Sequence, residues 1–327
     1  MQRLLIVDYL KGFSIFTISL MHLLMKPIHS GILFNGIMFG GAGVHVFILC
    51  SGFGLYLSYC KKPIEYKGFL KRRFSKVWIP YAIAVVLWGI WLQMTAGNFP
   101  IKEVASHLLL YKMFSTELDT SLCYPYWFVS TIVQFYIFWP LIVKVFRIRW
   151  GVQLMLVVSL LWSTTVGILG LEEERPFGSF FLQYLWEFGL GMWIAERINE
   201  GKSKMVDVRE MKWRWLLLGA VGGMGVSAIM AWNGGWLKLY NDIPSLLGYL
   251  SVALLIYKIG IRWVNRFFEW ANGFSYELYL IHSLVFAVIA YSLEGNVPLY
   301  LEILLCFIVA YIAGYYYRYL LKSIRII

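Results

Sequence analysis

Apolar runs of roughly 20 residues recur along this chain from one end to the other, and that pattern leaves few folds open. A hydrocarbon layer about 30 Å thick needs that length of helix to cross it. The runs lie at 4–25, 32–58, 77–96, 125–146, 151–171, 178–196, 213–231, 243–260, 268–293 and 297–321. They predict an all-α polytopic membrane protein with about ten transmembrane helices. The alternation of a membrane β-barrel is not seen. Only 14% of the 327 residues are charged and 60% are hydrophobic. A soluble domain carries about 25% charged residues, so the solvated faces of a layered soluble fold cannot be built. Asp8 and Lys11 interrupt the first run and no small-x-small site follows it, so it reads as a retained helix and not a cleaved signal. Residues 1–327 are expected to form a single transmembrane domain without a soluble appendage.

The net charge of +11 has a topological origin. Lys61, Lys62, Lys67, Lys71, Arg72, Arg73 and Lys76 follow the second run, and Lys144, Arg147 and Arg149 the fourth. Lys202, Lys204, Arg209, Lys212 and Arg214 follow the sixth, Lys258, Arg262 and Arg266 the eighth, and Arg318, Lys322 and Arg325 the last. The intervening loops hold Glu117 and Asp119, then Glu172, Glu173 and Glu174, then Asp242, then Glu294. The positive-inside rule places both termini in the cytoplasm, and no nucleic-acid partner is needed to explain the charge. Cys50, Cys60, Cys123 and Cys306 form no spaced framework, so neither a disulfide nor a metal site is expected.

Segment 60–76 is read as a basic interfacial helix. Segment 97–124 is read as a turn at Asn98–Pro100 followed by an amphipathic helix from Lys102 to Phe114, and 197–212 as a solvated linker. Glycines gather between Gly31 and Gly54, either for close helix packing or for close approach of backbone to a ligand. No internal repeat is evident, against the usual build of a secondary transporter.

Ionisable side chains inside apolar helices mark sites by default, because they are costly there. Asp8, Lys11, Gly12, Ser19 and His22 share one stripe of the first helix at about 100° per residue. Lys11 and His22 are about 16 Å apart along its axis at 1.5 Å per residue. A neutral imidazole can take a proton from a hydroxyl near pH 7, so His22 suits general-base work; the bland reading is a hydrogen bond between helices. In a second stripe Ser275, Tyr279 and His282 share a face, and His282 should lie level with His22. Glu187 stands in an apolar run, where it would orient a histidine, pair with Lys11 or sit at the interface. His45 opens a glycine-rich helix; His29 falls in an outer turn. Lys71, Arg72, Arg73 and Lys76 serve topology and can also clamp phosphates by charge-assisted bonds.

In order along the chain, these segments resemble the membrane-bound acyltransferase family 3 proteins. The matching pieces are Asp8-x-x-Lys11-Gly12 with His22, Gly43-Val44-His45 to Ser51-Gly52-Phe53, Lys71-Arg72-Arg73 to Ile79-Pro80, Trp127-Phe128-Val129-Ser130 with Gln134, and Ser275-Tyr276 to Tyr279-Leu280-x-His282. Family members usually carry arginine where Lys11 stands, and many carry glutamates where this chain has Ile132 and Val133. No appended hydrolase-like domain is expected.

The resemblance implies a multi-pass protein of the bacterial plasma membrane that moves an acyl group, most often acetyl, from acetyl-CoA to a hydroxyl of a glycan or lipid-linked sugar. The implied roles are catalysis by His22, Lys11, Asp8 and His282, and donor binding by Lys71, Arg72, Arg73, Lys76 and Ser51. Acceptor binding would fall to Trp127, Tyr279, Gln134, Glu187 and His45, with Tyr126 as a further wall and Tyr279, His282 or Gln134 as oxyanion donors. Acyl-CoA serves as donor and no cofactor is held permanently; the bilayer and a second copy of the chain complete the partners. The alternatives are a transporter using the same charged groups as a proton relay, and a ligand sensor on an acyltransferase-like fold.

Overall fold

A computed structural model describes residues 5–202 and 207–324. Lys204 and Arg325, which entered the charge argument, lie outside the described residues, as does Leu4 at the head of the first run. Fifteen α-helices are seen, and no strand is present among the described residues. They are α1 (Leu5–Leu24), α2 (Gly31–Met38), α3 (Gly43–Lys61), α4 (Tyr66–Ala96), α5 (Ile101–Leu108), α6 (Trp127–Ile137), α7 (Trp139–Phe146) and α8 (Gly151–Ile168). The remainder are α9 (Arg175–Gly178), α10 (Leu185–Asn199), α11 (Trp213–Asn233), α12 (Asp242–Ile259), α13 (Arg262–Asn272), α14 (Ser275–Leu293) and α15 (Leu299–Ser323).

Among the described residues, 8 helices are long and apolar enough to cross a bilayer, or 9 if the bent pair α6–α7 counts as one span. The sixth expected run, at 178–196, is instead a turn followed by α10, whose 15 residues fall short of the roughly 20 needed. Three expected runs are broken. The second becomes α2, a 3₁₀ turn at Phe39–Ala42, and α3. The fourth bends by 65° between α6 and α7, where Pro140 has no N–H to continue the ladder. The ninth starts instead with α13, which ends before Gly273. The basic segment expected as a separate interfacial helix is the first part of the 31-residue α4 from Tyr66 onward. Segment 97–124 holds α5 and a 3₁₀ turn at Tyr111–Phe114, close to expectation.

Two apolar cores organise the bundle. One gathers Phe135, Phe188, Tyr81 and Leu280 between α4, α6, α10 and α14; the other gathers Tyr9, Phe13, Tyr249 and Phe268 around α1, α12 and α13. Glycine permits the closest crossings: a methyl at Gly12 would collide with the Phe268 carbonyl, and one at Gly52 with the Phe188 carbonyl. Packing therefore accounts for Gly52, while Gly31, Gly36 and Gly54 face open space. The four cysteines are free thiols.

Candidate functional site

The crossings bring α14 against α1, and with it the two intramembrane histidines. His22 Nδ1 lies 3.0 Å from His282 Nε2, with the rings stacked at 22°. The proton positions follow from chemistry. His282 Nδ1 is 3.1 Å from the Leu278 carbonyl oxygen, which can only accept, so Nδ1 carries the hydrogen. In the neutral ring Nε2 then holds the lone pair and accepts from His22 Nδ1–H. The remaining nitrogen of His22, Nε2, then keeps its lone pair. The Ser283 hydroxyl also reaches His282 Nε2, at 3.1 Å. His282 is 0% exposed, whereas His22 is only half-buried.

Farther down α1, the Asp8 carboxylate accepts a hydrogen bond from Asn272 Nδ2 at 2.7 Å. Lys11 is half-buried and, with Asp8, lies within electrostatic reach of Cys50 on α3. These groups share the His22 helix but do not touch the histidine pair, in line with the 16 Å or so of helical rise between Lys11 and His22.

A second cluster forms where α3, α10 and α12 begin. His45 Nδ1 donates to Glu187 Oε1 at 2.7 Å, and His45 Nε2 faces Asp242 Oδ1 at 3.8 Å. Gln183 Nε2 donates to Asp242 Oδ2 at 2.7 Å. Glu187 is 0% exposed and its Oε2 has no hydrogen-bond partner. Of the roles open to Glu187 from sequence, the structure shows orientation of a histidine, and that histidine is His45. The three side chains have donor atoms close enough together to hold a cation.

A third group lies beside α5 and α9. Lys112, Asp119, Trp127, Ser130, Arg175 and Ser179 line a narrow recess together with Met113 and Pro176. The Arg175 guanidinium sits over Tyr124 and Trp127, 4.7 and 5.0 Å from their centroids. Trp127 also stacks on Tyr184, so its indole is already engaged and is not a bare wall for a sugar. Tyr126 is fully buried, its hydroxyl donating to the Leu280 carbonyl, and forms no wall.

Several expected roles meet prior commitments. The Tyr279 hydroxyl donates to the Pro125 carbonyl. Gln134 Oε1 accepts from the Phe181 amide, and its Nε2 points at Met113 Sδ. Both polar ends are thus already engaged, while the Tyr279 ring lies 6.2 Å from that of His282. The Ser51 hydroxyl bonds back to the Phe47 carbonyl, one turn earlier. In the basic block Lys71, Arg72 and Lys76 are exposed, while Arg73 folds over Phe69 and Tyr136 with a buried, unpartnered Nε. Sequence reasoning passed over a wide groove lined by Arg147, Arg149, Arg197, Trp186 and Trp193. Its signal was an arginine pair followed by aromatic residues on α10, hidden by the topological meaning of the same arginines.

A polytopic helical bundle with a hydrogen-bonded histidine pair between its first and penultimate long helices has the build of a membrane protein. The family profile described as an acyltransferase domain matches residues 4–319, so the chain belongs to the acyltransferase 3 family and is an acyltransferase of the membrane type. No curated protein and no solved structure matches the chain.

Proposed function

We propose that this protein transfers an acyl group, most simply acetyl, from acyl-CoA at the cytoplasmic face to a hydroxyl of an extracytoplasmic or lipid-linked glycan. The observation that carries the reading is the 3.0 Å contact between His22 Nδ1 and His282 Nε2, which leaves His22 Nε2 as a free base on a partly accessible ring. The acceptor O–H proton passes to His22 Nε2 while its oxygen attacks the thioester carbonyl carbon. The C–S bond then breaks, and the departing thiolate takes the proton back from His22 Nε2. His282 holds the imidazole in the required tautomer and remains a positioning residue.

The donor's phosphates are assigned to the exposed Lys71, Arg72 and Lys76 at the start of α4, where charge-assisted bonds are available. Thiol release from acetyl-CoA by the purified protein in nanodiscs tests the reading. Turnover that disappears in His22→Ala supports it; wild-type turnover in that variant removes His22 from the mechanism.

A further inference from the structure

The recess beside α5 and α9 holds more positive charge and more unsatisfied polar atoms than its packing requires. The Lys112 side chain is 1% exposed. One of its three N–H donors reaches the Asp119 backbone carbonyl at 3.0 Å, a neutral acceptor, and no carboxylate pairs with it among the described residues. Arg175 is half-buried over two aromatic rings and likewise forms no ion pair among the described residues; the nearby Asp119 carboxylate attracts both cations and leaves one positive charge in excess. The Ser130 and Ser179 hydroxyls, on the same lining, are buried with no hydrogen-bond partner. A buried cation and two buried hydroxyls left unmet are costly unless something else meets them.

We propose that this recess binds the anionic group, carboxylate or phosphate, of the acceptor sugar, which makes the acceptor an acidic or phosphate-linked glycan. The inference rests on the acyltransferase reading given above for the word acceptor, and on the recess alone for the charge. Lys112 and Arg175 neutralise the anion, and the Ser130 and Ser179 hydroxyls donate to its oxygens. Asp119, whose carboxyl also lines the recess, is placed to accept from a sugar hydroxyl next to the anion. The recess has room for about one water-sized group, so one oxygen of the anion would enter it while the rest of the anion and the sugar ring lie outside, beside the exposed Tyr124. Burial pulls the Lys112 ammonium down to about 8, against Cys123 and Asp119 and together with Arg175. A bound anion would raise it again.

Binding of three matched sugars to the protein in nanodiscs, followed by saturation-transfer NMR without any acyl donor, tests this. The probes are glucuronate, glucose 6-phosphate and neutral glucose. At least a tenfold preference for one or both anions over glucose is expected, and its loss in Arg175→Gln and Lys112→Met. Preference for glucuronate alone identifies a carboxylate-bearing acceptor, and preference for glucose 6-phosphate alone a phosphate-linked one. Equal binding of all three, or an anion preference that survives both substitutions, overturns the proposal. Arg175→Lys, which keeps the charge and loses the planar fork, retains part of the preference if the substituted proteins are folded. Because no acyl donor is present, failure of acetyl transfer and failure of anion binding are read separately.

Discussion

His282 points its lone pair at His22: the Leu278 carbonyl fixes the hydrogen on His282 Nδ1, and the 3.0 Å contact then fixes the hydrogen on His22 Nδ1. Two rings and one carbonyl thus decide which nitrogen of His22 keeps its lone pair.

Removing that second ring should cost rate and not affinity. His282→Ala is expected to lower kcat by about 10–100-fold, a part of the 10²–10⁴ range typical of general acid–base groups. The KM for acetyl-CoA should stay close to wild type. His22→Ala should remove turnover while coenzyme A still binds. Steady-state kinetics with a direct binding measurement separates the two effects, and a raised KM with normal kcat in His282→Ala would contradict the positioning role.

Glu187 and His45 form a buried pair, and its disruption should be felt in stability. Glu187→Ala strands the imidazole beside Asp242, and losing one partner of a buried pair costs about 3–5 kcal/mol. Glu187→Gln, which can still accept from His45 Nδ1, should cost less. Thermal unfolding in one detergent ranks the two; equal midpoints for both variants and wild type would show the pair to be idle.

The pH dependence of stability should carry the signature of His107, outside the membrane-spanning helices. Its Nδ1 accepts from the Tyr81 hydroxyl at 2.7 Å and its Nε2 donates to the Ser121 carbonyl at 3.0 Å. Burial, with Lys112 nearby, pulls the imidazole from 6.5 down to about 3. Between those values the unfolded chain binds a proton that the folded one refuses. Stability from this group is therefore complete above pH 6.5 and is lost as pH falls towards 3. His107→Gln should flatten that slope, measured as the unfolding midpoint between pH 4 and 7.

Close helix crossing makes a further demand. In Gly52→Ala the added methyl meets the Phe188 carbonyl, so α3 and α10 must separate. Overpacking of this kind costs about 1–3 kcal/mol. Gly54→Ala, two residues on and facing open space, should be neutral. A matched pair of melting curves decides it.

Arg72 and Arg73 are adjacent but differ in setting. Neutralising both should weaken acetyl-CoA binding by about tenfold, the scale of one charge-assisted hydrogen bond. Arg72→Gln alone should carry most of that loss, because Arg73 is folded onto Phe69 and Tyr136. Unchanged affinity in the double variant would leave the block a topological signal only.

Much of this was legible beforehand. The helical stripe through Asp8, Lys11 and His22 and the level of His282 follow from 3.6-residue periodicity and alternating direction. Other features depend on tertiary contacts that periodicity does not encode. Asp242 reads as a loop acid, and only packing of α12 beside Gln183 turns it towards His45. Tyr279 and Gln134 carry the polar atoms a site needs, yet Pro125 and Phe181 claim them, and such claims arise between segments far apart in sequence. The basic stretch before Pro80 looked interfacial because of its charge, but nothing between Tyr66 and Val77 breaks a helix, so α4 runs through it.

The Asp8–Asn272 contact has a mechanical side. It fastens the end of α13 to the first turns of α1, and His22–His282 fastens α14 to the same rod about 21 Å farther along at 1.5 Å per residue. Two rivets on one rod suppress both sliding and rolling. A slip of a single helical turn, about 5.4 Å, would shear both at once, so the His22–His282 contact keeps its register only while the lower fastening holds.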